Sequence, residues 1–379
     1  MENAKLYTKL YYKQQQLNLD FDKMILEKEF IEYKEEKGKF YITRLVNKDK
    51  VLFNLGKEII DKGKLICYNI RTIREQTEKK EDLYREFRIP KRKGGYRYLI
   101  EPREDLKLLQ KEMLNYLQED LNIQVHHCAH AFIKNKDAYT NAKQHKDNKC
   151  FITLDLKDFF PSITEEILEK ELRRNAKLYD LDKKTKDFIK ELVWLSTYKG
   201  ALPQGSPLSP FLSNIVMHIF DYTLSYRMFH KKIDRYTYTR YADDMCFSAK
   251  AFGHVKTFLN QIEELLNELY NGSIKINKEK TKLLKNTNRC YITGIKINKD
   301  NNTTYGHENK KKLKLELFNL FQGLSAGTLT KEEAQEVLGR YSYMARIEPN
   351  YAKYLERKLL KDFKSKECTI HKHFKEILK

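Results

Sequence analysis

Cysteine is sparse and poorly spaced for covalent or metal chemistry. The six residues, Cys67, Cys128, Cys150, Cys246, Cys290 and Cys368, are scattered, with no Cys-x-x-Cys pair among them. Such spacing argues against a disulfide framework and a cysteine-rich zinc cage, and for reduced, packed thiols. Proline and glycine are also few, seven and fourteen in 379 residues, and a third of the chain is charged, so the composition is that of an ordered globular protein. No run approaches the roughly 18 apolar residues of a spanning helix. The first ten residues carry Lys5 and Lys9 in place of an apolar signal core. A soluble intracellular protein with no membrane partner is expected. No internal repeat is visible.

What is abundant is positive charge. Lys and Arg number 73 against 53 Asp and Glu, a net charge of +20, which favours a polyanion such as nucleic acid or an acidic membrane surface. Charge alone does not choose between them.

Residues 7–86 are charged and weakly helical in pattern and suggest no chemistry. Phe87 to Ile100 reads as strand, Gly94-Gly95 turn, strand, with Lys91, Arg92 and Lys93 at a basic tip. Leu106, Leu109, Met113, Leu114, Leu117 and Leu121 then fall on one helical face. Cys150 to Leu156 is a short strand that ends by presenting Asp155. Ser206-Pro207 to Ser209-Pro210 opens a helix, because Ser caps and Pro suits a first turn. Tyr236 to Ser248 reads as a hairpin with Ala242-Asp243-Asp244 at its tip. A helix from Val255 stops at Gly272. Strands are expected at 273–276 and 289–297. The remainder is helical, with a capping box at Thr330 to Glu333, a helix start at Pro349 and an apolar stripe through Leu313, Leu317, Phe318 and Phe321. The single Trp194 is expected in the core.

Three carboxylates on strand ends suit one kind of chemistry. Phosphoryl transfer onto a growing strand needs two divalent cations about 4 Å apart more than it needs covalent help from protein. Mg²⁺ is held by a few carboxylates plus substrate phosphates. Tyr241-Ala242-Asp243-Asp244 alone is an ordinary Asp-rich turn. Its meaning comes from Asp155 and the Gln204-Gly205 block preceding it in order.

Leu154-Asp155-Leu156-Lys157-Asp158-Phe159-Phe160-Pro161-Ser162-Ile163 resembles the first palm motif of bacterial reverse transcriptases. Leu202 to Pro210 resembles their Gln-Gly motif, and Tyr241 to Asp244 completes the active-site set. The basic hairpin with Pro102, Leu106, Lys107 and Gln110 resembles the start of the family's fingers. Asn277 to Thr281 resembles the palm motif after the carboxylate hairpin. Together these blocks cover roughly residues 85–300. Asn141-Ala142-Lys143-Gln144-His145 and Ile292-Thr293-Gly294 are similar to two blocks of the retron-type enzymes, the second with Ile for Val, which keeps a β-branched apolar residue.

The resemblance implies an α+β right-hand polymerase: fingers and an antiparallel-sheet palm interleaved over 1–300, then a helical thumb and RNA-binding region over 301–379. It implies Asp155 and Asp243 as principal ligands of two Mg²⁺ ions, with Asp244 completing the site and Mn²⁺ as a substitute. Phe160 would be the steric gate against a ribose 2′-hydroxyl. Gln204 would line the nucleotide pocket, and Lys91, Lys93 and Arg97 would be candidates for the triphosphate of the dNTP. For Lys91, Arg92 and Lys93 a solvated charged turn is the bland alternative. Asn141, His145, Ile292, Thr293 and Gly294 would serve RNA binding. The implied activity is RNA-directed DNA synthesis in the bacterial cytoplasm, copying a structured non-coding RNA from its own 2′-hydroxyl into branched single-stranded DNA. Antiphage defence, with an effector protein encoded nearby, is the implied setting. The alternatives are an intron-type or other defence reverse transcriptase and an inactive RNA-binding scaffold. The retron reading expects no maturase extension or nuclease domain. His126, His127, Cys128 and His130 read as a histidine-containing loop, since no second ligand pair with zinc spacing accompanies them.

Overall fold

The computed structural model describes residues 30–36, 39–47, 50–54, 59–60, 62–91, 94–175, 187–230, 236–251, 255–285 and 290–378. The chain divides into two compact units. The first takes the described residues up to 129 with 156–227 and 256–276, and the second takes 130–155, 228–255 and 277–379.

Of residues 7–86, read as weakly helical, 7–29 fall outside the described residues, and those described between 30 and 60 are strands instead. Strands β1 (Phe30–Glu36), β2 (Lys39–Asn47), β3 (Lys50–Asn54) and β4 (Ile59–Ile60) form an antiparallel sheet in the order β1-β2-β3, with β4 also on β2. The β2 sequence Lys39 to Asn47 is rich in aromatic and β-branched residues, and that preference prevails over the surrounding charge. Helix α1 (Lys62–Glu75) follows, then the expected hairpin of β5 (Tyr84–Pro90) and β6 (Tyr96–Pro102) in register from Tyr84↔Pro102 to Pro90↔Tyr96. Helix α2 (Glu104–Asn115) buries Leu106, Leu109 and Met113 along the anticipated stripe.

Crossing into the second unit, the chain forms α3 (Ala138–Lys143) and β7 (Cys150–Asp155). It returns to the first unit as α4 (Phe159–Ser162), α5 (Glu165–Asn175), α6 (Phe188–Ser196) and most of α7 (Ser209–His230). Trp194 on α6 departs from the expectation of a core residue. It is half-buried, and Lys80 Nζ lies 4.9 Å from its ring centroid.

β8 (Thr237–Tyr241) and β9 (Asp244–Ala249) are the anticipated hairpin. α8 (Val255–Tyr270) buries Phe258, Ile262, Leu265, Leu266 and Leu269 and ends before Gly272 at φ +75°. The strand expected at 273–276 does not form. Ser273 N–H closes a turn onto Tyr270 O at 3.0 Å, leaving only a single bridge at Ile276.

In the second unit β10 (Lys282–Lys285) joins an antiparallel sheet of order β10-β7-β9-β8. The single strand expected at 289–297 is instead a hairpin, β11 (Cys290–Ile292) and β12 (Ile295–Ile297), extended by β13 (Thr303–Thr304). Thr293 at φ +46° and Gly294 at φ +82° make the tight turn that divides it. Helices α9 (His307–Ala326), α10 (Lys331–Ile347) and α11 (Pro349–Asp362) pack around Leu317, Phe321, Leu338, Tyr341 and Leu355. The Thr330 and Glu333 capping box and Pro349 in a first turn are found as read. Phe318 alone leaves the stripe, exposed and edge-on to Phe363 with ring centroids 5.3 Å apart.

Candidate active site

Strand β7 is covered on both faces, so that consecutive Phe151 and Ile152 are buried along with Leu154, and it ends at Asp155. In the antiparallel register Asp155 faces Asp244, the first residue of β9, and Asp244 also pairs with Tyr241 across the hairpin. Ala242 takes φ +58°, which folds the turn tightly enough to place Asp243 beside the strand ends. The three carboxylates foreseen in the sequence therefore meet within one sheet.

Their electrostatics are those of a site made for cations. Desolvation by the surrounding protein, then repulsion from Asp243 and from Asp155, pushes the Asp244 carboxyl up to about 6, although one side of the residue reaches solvent. Lys280 and Lys282 oppose that rise. Lys280 Nζ sits 2.9 Å from both oxygens of Asp155, an ammonium standing where the carboxylate accepts a cation. That contact holds the Lys280 amine above its ordinary range. Three clustered hard oxygen donors with one already cradling a positive charge fit Mg²⁺, and Asp155, Asp243 and Asp244 are the residues that would hold it.

Two supports were not legible as such. Arg240 is fully buried in β8, and its Nη1 donates to Ala242 O at 3.2 Å, bracing the turn that carries Asp243. Its signal was an arginine in an otherwise sheet-forming run. Lys280 lay inside a recognised block without a role of its own.

The Asn141 to His145 block and the Ile292 to Gly294 block also meet inside this unit. Asn141 Nδ2 donates to Thr293 Oγ1 at 3.3 Å, and Thr293 Oγ1 donates to Ala138 O at 3.1 Å. His145 is 0% exposed, its two ring nitrogens 2.7 Å from Ser248 Oγ and 2.6 Å from Thr239 Oγ1. Burial pushes its pKa down to about 3, so the ring is neutral. The expectation that these side chains touch RNA is corrected for Asn141, His145 and Ile292, all buried. They join α3 to the two sheets. Thr293 is half-buried, and Gly294 and Tyr291 face solvent.

The other candidates lie in the first unit. Lys91 and Arg97 are exposed on the β5–β6 hairpin, whose turn is closed by Lys91 N–H to Gly95 O at 2.9 Å. Lys93 falls outside the described residues. Phe160 is half-buried on α4, 5.6 Å between centroids from buried Phe159. Gln204 O accepts from Ile100 N–H of β6 at 2.8 Å. Gly205 follows at φ +132°, where an added Cβ would lie 2.7 Å from Ile100 O. Ser206 Oγ donates to Gln110 Oε1 at 2.8 Å, while Gln110 Nε2 donates to Leu195 O at 2.9 Å. These contacts tie the Gln-Gly segment to β6 and α2. Beside them opens a cavity of about 360 Å³ lined by Phe87, Tyr98, Ile100, Pro161, Tyr198 and Pro203.

Residues 89–297 match the family described as reverse transcriptase (RNA-dependent DNA polymerase). The chain is 30% identical to the retron Ec83 reverse transcriptase of Escherichia coli, over 73% of its own length and 86% of that protein's. It is 32% identical to the retron Ec73 reverse transcriptase of the same species, over 73% and 87%. Among solved structures, apo telomerase from Candida Tropicalis aligns with a TM-score of 0.44 and 15% identity over 80% of this chain and 69% of that one.

Proposed function

Since this chain belongs to the retron-type reverse transcriptases and is an RNA-directed DNA polymerase of right-hand fold, we propose that it copies a structured non-coding RNA from a 2′-hydroxyl of that RNA, at Asp155, Asp243 and Asp244. The observation that carries the site is the pairing of Asp155 with Asp244 across β7 and β9, with Asp243 in the adjoining turn. When bound, two Mg²⁺ ions would activate the attacking hydroxyl and neutralise the triphosphate. Asp155 and Asp243 supply the principal oxygens and Asp244 the third. Arg240 keeps the turn from yielding when the carboxylates are drawn together. Lys280 must leave Asp155 for a stronger cation to enter.

In the first unit, Phe160 supplies an aromatic wall for the sugar and Gln204 a face of the nucleotide pocket, while Lys91, Lys93 and Arg97 are the candidates for binding the phosphates. Residues 1–300 make up fingers and palm, and 301–379 the thumb, whose exposed Lys311, Lys312 and Lys314 suit an RNA backbone. Tyr291 and the Thr293-Gly294 turn offer a stacking and backbone contact to the same RNA. Among the described residues no helix is long and apolar enough to cross a membrane. The product is branched single-stranded DNA made in the bacterial cytoplasm, in a defence system with an effector protein as partner.

Primer extension with Asp243→Asn tests the site. Activity falls by at least about a thousandfold, the consequence of losing several kcal/mol of transition-state stabilisation, with the melting profile retained. More than a tenth of wild-type activity would remove Asp243 from the metal site. Expression with the native flanking locus tests the priming: after ribonuclease, a 2′,5′-linked RNA stub remains on the DNA and is released by a debranching enzyme. A plain 3′-primed junction would discard the branched product.

A further inference from the structure

A second cluster of ligating side chains lies in the first unit and owes nothing to the carboxylates. His126, Cys128 and Asp221 each bring one ligand atom into a group whose members all lie within 4.8 Å of one another. His126 to Ala129 is a tight turn closed by Ala129 N–H to His126 O at 3.0 Å, which turns both ligands of the His-x-Cys pair to one side. The Cys128 N–H donates to His126 Nδ1 at 3.4 Å, a long bond that keeps the ring proton on Nε2 and must give way for Nδ1 to bind an ion. Asp221 comes from α7, 0% exposed, and Cys128 is 2% exposed. One turn earlier on α7, His218 stands edge-on to His126 with ring centroids 6.3 Å apart. His218 and Asp221, three residues apart on a helix, share one face. A third ligand for the His-x-Cys pair is thus present in space, Asp221 from a helix some ninety residues onward, with His218 beside it.

We propose that His126, Cys128 and Asp221 bind one Zn²⁺ ion, with His218 as the fourth ligand, as a structural site fastening the turn to α7. The donor set is one sulfur, one carboxylate oxygen and two imidazole nitrogens. It is borderline-soft and suits tetrahedral zinc, not the magnesium of an all-oxygen site. Cys128 binds as thiolate and gives up its proton, so the ligands contribute two negative charges and balance the ion. Ligand atoms of tetrahedral zinc lie about 3.3–3.8 Å apart, a spacing that a group held within 4.8 Å reaches by small side-chain movements. The alternative is a hydrogen-bonded polar junction holding no ion.

The test uses the full chain, reduced and stripped with chelator, then given Zn²⁺ or Co²⁺ and dialysed into Mg²⁺ buffer. One zinc per chain is retained, and cobalt gives the thiolate-to-metal charge-transfer absorption of a tetrahedral site. Cys128→Ser removes that absorption. Cys128→Ser and Asp221→Asn each weaken zinc at least about a hundredfold, since loss of even an outer-shell partner costs about 10–100-fold. Cys368→Ser, at an exposed thiol elsewhere, changes neither reading. Retention of no zinc by the wild-type chain, or equal retention by Cys128→Ser, overturns the proposal. Should the variants fail to fold, cobalt absorption in the wild type decides: no thiolate band means a polar junction.

Discussion

Lowering the pH should loosen the palm sheet through a single imidazole. His145 bridges Ser248 on β9 and Thr239 on β8, the two strands of the hairpin that ends in Asp243 and Asp244. Its pKa is pushed from 6.5 to about 3, first by burial and then by the neighbouring His130. A base depressed in the folded state is neutral there, so its contribution is complete above pH 6.5 and is lost as pH falls towards 3. At about 1.4 kcal/mol per pH unit, about 2 kcal/mol is lost by pH 5, and about 5 kcal/mol by pH 3. His145→Gln keeps a donor and an acceptor but cannot titrate. Urea unfolding of both proteins at pH 8, 6 and 5 should show the variant less stable at pH 8, with the gap narrowing by about 2 kcal/mol at pH 5. Other titrating groups cancel in that difference. A gap constant with pH would refute the assignment of a neutral, buried His145.

Gly205→Ala should lower stability by about 2–4 kcal/mol, from backbone strain plus the clash with Ile100 O. Gly94→Ala, at φ +89° with open space around it, should cost only the strain; equal losses in thermal melts would deny the close approach. Mn²⁺ affinity should fall about tenfold per pH unit below pH 6, because the proton held by Asp244 must be displaced. Titrations giving one affinity from pH 7 to 5 would contradict the raised carboxyl. Phe160→Ala should raise the ratio of ribonucleotide to deoxynucleotide incorporation on a fixed template; an unchanged ratio with intact activity would return Phe160 to a packing role.

Local chemistry explains what could be read in advance. The β5–β6 hairpin, the Asp243 turn and the Thr330 cap are each encoded within a few residues, by paired glycines, by alternation ending in carboxylates and by a capping box. The same locality misled elsewhere. In 289–297 apolar alternation concealed a turn because Thr293, a β-branched residue, takes a positive φ. The charged residues around β1 to β4 masked a sheet whose strands pair as neighbours in sequence, Glu36 with Lys39 and Asn47 with Lys50. The resemblance assigned His145 to the RNA, whereas the hydroxyls of Ser248 and Thr239, some hundred residues away, satisfy it in a buried position. The His126 and Cys128 pair lacked partners in sequence for the same reason, since Asp221 meets it only through the fold.

The carboxylate site rests on polar groups that are costly unless the whole sheet is assembled. Arg240 brings a guanidinium into the interior behind the Asp243 turn, and His145 with Asn148 satisfies Ser248 from the opposite direction, Asn148 Nδ2 donating at 2.7 Å. In a sheet apolar on both faces, a slip of register exchanges one apolar set for another. Here a slip of one residue along β8 or β9 would strand a buried arginine, an imidazole and hydroxyls without partners, at about 1–3 kcal/mol for each neutral group and more for the charge. Register is what sets Asp155 opposite Asp244. The buried polar network therefore trades some stability for a fixed carboxylate geometry, as metal-assisted phosphoryl transfer demands. On this argument, replacing Ser248 and Thr239 together with Ala and Val leaves both ring nitrogens of buried His145 unpaired and should lower stability by about 2–6 kcal/mol. Primer extension per folded molecule should also fall, because the positions of Asp243 and Asp244 become less exact; full activity per folded molecule would refute the link from register to the carboxylates.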